Sequence, residues 1–191
     1  MMDYFFQQGD DETLVVGFHG MGNNEYQLLT IIAQLYPTAS ILTYLGPLGN
    51  KSARRFFSPL ENGKVDRAAF TASASEFLEN DWPKFADRFK KVIFIGYSNG
   101  ANFILGLLEQ QPELAEKIIL LHPSFLNFEF QQGANTEIWL TTGSMDSESL
   151  PGDVLKLQQQ LQKTFPNTQL ILVDGMHGIT DDEIEKLKKN I

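Results

Sequence analysis

Short apolar runs rich in β-branched residues alternate along this chain with longer segments of helical period, and that alternation leaves few folds open. A strand buried on both faces reads apolar throughout, and successive parallel strands need a helix-length crossover between them. Thr13 to Phe18, Ala39 to Tyr44, Lys91 to Gly96, Lys117 to Leu121, Glu137 to Thr141 and Gln169 to Val173 read as strands. Helical spacing predicts helices over Asn24 to Tyr36, Asp66 to Phe89, Asn99 to Gln111, Pro151 to Thr164 and Asp181 to Asn190. The second of these should break at Asn80-Asp81-Trp82-Pro83, where proline suits a new helix start. The pattern predicts an α/β fold: a mostly parallel central sheet flanked by helices on both faces.

Nothing in the 191 residues suggests an internal repeat, a low-complexity tract or a linker, so residues 1–191 are expected to form a single domain. The absence of Cys excludes disulfides, thiolate catalysis and cysteine-held metal centres. With 24 acidic against 15 basic side chains the net charge is −9, which argues against a nucleic-acid partner. The apolar runs around Val92 to Ile95, Ile118 to Leu121 and Leu170 to Val173 are far shorter than the ~20 residues a bilayer requires. The first residues also lack a basic stretch of the secretory kind, so the expectation is a cytoplasmic protein without membrane insertion. Leu45 to Lys64 reads as a long loop of the sort that often serves function. Its Lys51, Arg54, Arg55, Phe56 and Phe57 suit a cleft rim packed on the body. Gln158, Gln159, Gln160 and Gln162 read as a solvated helix face.

Gly96-Tyr97-Ser98-Asn99-Gly100 is the sharpest chemical signal, because this G-x-S-x-G lies between a predicted strand and a predicted helix. A serine on so tight a turn needs small residues two positions away on each side. Its hydroxyl then stands above the carboxyl end of the sheet, and the backbone N–H of Asn99 points toward any oxyanion formed there. A serine hydroxyl needs a general base at neutral pH, and the candidates are His19, His122 and His177. His177 is favoured, in the Gly-flanked loop Asp174-Gly175-Met176-His177-Gly178 after the last strand. An imidazole base needs a carboxylate to fix its tautomer. Asp146, in Thr142-Gly143-Ser144-Met145-Asp146-Ser147, is preferred over Asp174, which competes by proximity, and over Asp153, which suits a helix first turn for dipole reasons.

Gly17-Phe18-His19-Gly20-Met21-Gly22-Asn23 follows the first strand, so the Met21 N–H can serve as a second oxyanion donor while His19 braces the loop. A nucleotide-binding reading of Gly20-x-Gly22 fails at Glu25, where a third glycine belongs. His122, in Leu121-His122-Pro123-Ser124, suits a packed, hydrogen-bonded ring, with a place near the acyl or leaving-group pocket as its other reading, and the three histidines lack the spacing of a metal site. Thr180 should cap the terminal helix, with Asp181, Asp182 and Glu183 in its first turn and Lys186, Lys188 and Lys189 toward its end.

Taken together, Phe18-His19-Gly20-Met21-Gly22, the extended Gly96 to Asn102 motif, the Gly143 to Asp146 turn and His177-Gly178-Ile179-Thr180 resemble the α/β-hydrolase superfamily. The chain is most similar to its phospholipase/carboxylesterase family, which includes acyl-protein thioesterases. That resemblance implies an α/β-hydrolase fold, with Ser98 as nucleophile, His177 as base, Asp146 as acid, and Met21 and Asn99 as oxyanion donors. It also implies a serine carboxylesterase-type enzyme that needs no cofactor or metal and acts on small-molecule esters, thioesters included. The chain is short for the family and has no insertion large enough for a mobile lid. Other readings are a non-catalytic binding protein on the same fold, or an acyl transferase or peptidase; exposed aromatics could support a homodimer.

Overall fold

A computed structural model describes residues 1–191. Seven strands form one sheet: β1 (Tyr4–Gln7), β2 (Thr13–Phe18), β3 (Ser40–Tyr44), β4 (Lys91–Tyr97), β5 (Lys117–Leu121), β6 (Glu137–Gly143) and β7 (Thr168–Val173). Their order is β1-β3-β2-β4-β5-β6-β7, with β1 antiparallel to β3 and every other pair parallel. The helices are α1 (Leu29–Leu35), α2 (Arg67–Asn80), α3 (Asn99–Gln110), α4 (Pro151–Leu161) and α5 (Asp181–Asn190).

Alternating side chains on each central strand serve two different cores. Leu14, Val16 and Phe18 of β2, Val92 and Phe94 of β4, and Ile118 and Leu120 of β5 join the larger cluster, together with residues of α2, α3 and α4. Val15, Ile93, Ile95, Ile119 and Leu121 point the other way, toward Leu28 and Ile32 at α1 and Ile184 and Leu187 of α5. This two-sided burial is why these strands read as unbroken apolar runs. The aromatic part of the larger core centres on Phe18, whose ring lies 5.3–5.7 Å from those of Tyr44, Phe56, Phe77, Phe94 and Phe103. Such pairs add ~0.5–1.5 kcal/mol each beyond the area they bury, and here they anchor the strand end that leads into the Met21 loop.

Several boundaries differ from the sequence reading. The N-terminal strand β1 has no expected counterpart: it is an edge strand with a mixed exposed and half-buried pattern, so it carries no buried run. Helix α1 begins five residues later than its periodicity suggests. The Asn24 side chain accepts from the Tyr26 N–H at 3.0 Å, and Gln27 Oε1 accepts from the Gly20 N–H at 2.7 Å, so local polar bonds hold this stretch as turns. Helix α2 ends at Asn80 as expected, but the piece after the break shrinks to a single 3-10 turn, Trp82–Lys84. Gln160 on α4 and Gln162 just past its end are not merely solvated, because their side-chain amides donate to the carbonyls of Phe128 and Thr168.

Candidate active site

Four neighbouring strands, β4 to β7, end side by side, and the residues just past their carboxyl ends meet in space. Ser98 follows β4, His122 follows β5, Asp146 follows β6 and His177 follows β7. Open parallel sheets place their sites at this end because the βα loops converge there.

Ser98 sits at the sharp turn into α3 with φ 49° and ψ −108°, a left-handed backbone that a non-glycine residue adopts only under constraint. The Ser98 N–H donates to the Leu121 carbonyl at 2.8 Å, and its own carbonyl accepts from Asn102 at 3.0 Å. The flanking glycines make the turn possible. A Cβ on Gly100 would lie 2.1 Å from the Phe18 carbonyl oxygen, and one on Gly96 would lie 2.6 Å from the Ala101 nitrogen.

From Ser98 an unbroken chain of hydrogen bonds runs inward. Ser98 Oγ is 2.9 Å from His177 Nε2. The other nitrogen of that ring, Nδ1, donates to Asp146, with oxygens at 2.9 and 3.1 Å. The Asp146 side chain is fully buried, and its Oδ1 also accepts the N–H groups of Glu148 and Ser149 at 2.9 and 2.8 Å. Burial alone would raise its pKa, but these amides and the two neighbouring imidazoles outweigh it and hold the carboxyl below its ordinary value. Tyr97 Oη donates to the His177 carbonyl at 2.9 Å and so fixes the loop that carries the imidazole. Burial, reinforced by the carboxylates of Glu148, Asp146 and Glu183, pushes the Tyr97 phenol up to about 12, so it remains a donor. Asp174 is exposed and makes no hydrogen bond to His177.

The two amides expected to face an oxyanion are open. Met21 N–H makes no hydrogen bond within the protein, and Asn99 is the first residue of α3, where no carbonyl lies one turn earlier. His19 braces the Met21 loop: its Nδ1 donates to the Gly20 carbonyl at 2.6 Å and its Nε2 accepts from the Gly46 N–H at 2.9 Å. Burial lowers its pKa, so the ring stays neutral in that role. The long 45–64 loop is tied to the same place, with Phe56 N–H donating to Asn99 Oδ1 at 2.9 Å and Gly22 N–H to the Arg54 carbonyl at 2.8 Å. Phe56 and Phe57 are buried, so two of the five expected rim residues are core.

A cleft of about 270 Å³ opens beside Ser98, with Met21, Phe57, Leu60 and Leu126 as apolar wall and Arg55 as its charged side chain. Larger hollows of about 490 and 590 Å³ lie at the opposite end of the sheet, around Lys91 and Glu116, away from this constellation. His122 lines none of them. Its ring is wholly buried, with Nδ1 2.8 Å from Asp146 Oδ2 and Nε2 3.1 Å from Glu183 Oε2. The sequence reading placed Glu183 at a helix start for its charge alone. It does form a capping box with Thr180, but it is fully buried and joined to the site through His122. The Thr180-x-x-Glu183 spacing marks such a box, whereas nothing local marks its burial.

No protein-family model matches the sequence. The chain is 25% identical over 193 residues to MhqD of Bacillus subtilis, covering 98% of this chain and 96% of that protein. It is 28% identical over 192 residues to the esterase YpfH of Escherichia coli, covering 94% and 83% respectively. Among solved structures, a Bacillus cereus carboxylesterase superposes with a TM-score of 0.85 at 26% identity, over 99% of this chain and 92% of that one. Sheet order and these relatives give this chain an α/β-hydrolase fold, similar along its whole length to a carboxylesterase of known structure.

Proposed function

We propose that the protein is a cofactor-free serine hydrolase that cleaves carboxylic esters of small or medium acyl chain, thioesters included, through an acyl-enzyme. The observation that carries this reading is the continuous Ser98–His177–Asp146 hydrogen-bond chain beside two open backbone N–H groups. Ser98 Oγ attacks the carbonyl carbon while His177 Nε2 takes the hydroxyl proton. The carbonyl oxygen, now negative, accepts from the N–H groups of Met21 and Asn99, each such donor lowering the barrier by ~3 kcal/mol. Collapse expels the alcohol or thiol, which receives the proton from His177. Water then enters, loses a proton to the same nitrogen and bonds to the acyl carbon; collapse breaks the acyl–Oγ bond, Ser98 Oγ takes the proton back from His177, and the acid leaves. Asp146 holds the ring in the tautomer whose Nε2 can accept.

The cleft supports small substrates. Its volume falls just below the usual range for drug-sized ligands, roughly 300–1,000 Å³, and its apolar wall suits an acyl chain of a few carbons. Incubation with a fluorophosphonate, followed by intact-mass and peptide mapping, tests the assignment. One adduct on Ser98 is expected, absent from Ser98→Ala together with p-nitrophenyl ester turnover. Folded wild type that stays unlabelled would overturn it.

A further inference from the structure

His122 and Glu183 extend the site one ring and one carboxylate further into the protein than the proposed chemistry needs. The ring is fully buried, each nitrogen faces a carboxylate oxygen, and the residue is held at φ 50°. A left-handed backbone at a histidine persists only where its surroundings over-determine it. The His122 N–H donates to the Thr141 carbonyl, while the His122 carbonyl accepts from Ser149 Oγ at 2.9 Å.

Asp146 is an acceptor for two backbone amides and two imidazoles, so a proton lies on His122 Nδ1. The 3.1 Å contact between Nε2 and Glu183 Oε2 must hold another, since two lone pairs at that distance repel. That proton belongs either to the ring, making an imidazolium between two carboxylates, or to Glu183, leaving the ring neutral. Glu183 has no other charged side chain within ion-pair distance, and its Oε1 is buried without a partner, so an ionised Glu183 depends on His122 for its counter-charge.

Resting on the hydrolase reading above, we propose that His122 is a positioning residue held as a cation between Asp146 and Glu183, which fixes the Asp146 carboxylate and keeps His177 ready to accept a proton. The titratable groups facing it are Asp146 from the loop after β6, Glu183 from α5, the His177 ring with its centroid 5.3 Å away, and the edge-on Tyr97 ring at 6.0 Å. Glu148 lies 3.8 Å from the Nε2 of His177. Burial opposes charge on His122, but the bonds and charges of Glu183 and Asp146 prevail and raise its pKa above the ordinary imidazole value.

A cation beside His177 disfavours a second one there. Glu183→Gln keeps a hydrogen-bond partner for Nε2 but removes the carboxylate that holds the proton, so His122 becomes neutral. The acid limb of the kcat/KM profile should then move to higher pH by about half to one unit, for charges some 5 Å apart in a partly polar site. In wild type, ¹⁵N imidazole spectra should show both His122 nitrogens protonated from pH 6 to 8. A ring with one bare nitrogen in that window, or a folded Glu183→Gln variant whose acid limb stays put, overturns the proposal. The spectra need neither turnover nor a folded variant, so failure of Ser98 to react with fluorophosphonate would refute the hydrolase reading separately.

Discussion

Asp146→Asn is the substitution in which site chemistry and stability are most tightly bound together. The amide can still accept the N–H groups of Glu148 and Ser149 at its oxygen, where Oδ1 now does so at 2.9 and 2.8 Å. Its NH₂ then stands where Oδ2 accepts from both His122 and His177, at 2.8 and 2.9 Å, so donor meets donor twice. His177 then either moves its proton to Nε2, the nitrogen that should take the Ser98 proton, or turns off its present partner toward Oδ1, 3.1 Å away and already accepting two amides. The equivalent change in serine proteases lowers turnover by about 10⁴, and a loss of 10³ to 10⁴ here would correspond to ~4–5.5 kcal/mol of barrier. Two charge-assisted bonds disappear as well, so folding stability should fall by ~2–4 kcal/mol, of which His122 left without one counter-ion is the larger part. Because the folded pKa of Asp146 lies below that of a free carboxyl, its stabilisation is present above about pH 4 and lost as pH falls through the folded value. The variant should therefore lack that part of the acid-side decline in a urea-melt series. Turnover of a p-nitrophenyl ester within tenfold of wild type, in a variant that melts cooperatively, would refute the role given to Asp146.

Two further outcomes test the scaffold around the site. Phe18→Ala removes the ring that touches five others and should cost ~3–5 kcal/mol in urea unfolding, with a matching drop in the amount of Ser98 that reacts with fluorophosphonate near the midpoint. Tyr97→Phe deletes the 2.9 Å bond to the His177 carbonyl. It should cost ~1 kcal/mol of stability and lower kcat less than tenfold, and a loss as large as that of Asp146→Asn would show that Tyr97 does more than hold the loop.

Much of the fold was legible because the central strands are buried on both faces: Val92 to Ile95 and Ile118 to Leu121 can be apolar at every position only inside a covered parallel sheet. Edge strand β1 lacked that signal, with Tyr4 and Gln7 exposed and Phe5 and Phe6 half-covered. Helix α1 was overestimated for a different reason. Its apolar spacing extends back through Leu28 to Tyr26, yet an Asx turn at Asn24 and the Gln27 side chain on the Gly20 amide hold that backbone as turns, and periodicity does not register a side chain spent on a distant loop.

The site divides the same way. Ser98, Asp146 and His177 each carry a local mark, either glycine on a tight turn or a position just past a strand, and all three meet. Glu183 carries a mark as well, but one that already has a sufficient explanation: at the third position of a helix after Thr180, a glutamate is accounted for by the cap and the dipole. Only the packing of α5 against the sheet shows that its neighbours Asp181 and Asp182 remain exposed while its own carboxylate is driven under the site to meet His122. One side chain thus closes the helix start and completes a buried row of charge, so the terminal helix is part of the machinery and not an outer layer laid over it. Weakening the docking of α5 at a distance, through Leu187 in its last turns and buried in the smaller core, should therefore disturb the acid limb of activity in the same direction as Glu183→Gln and by less.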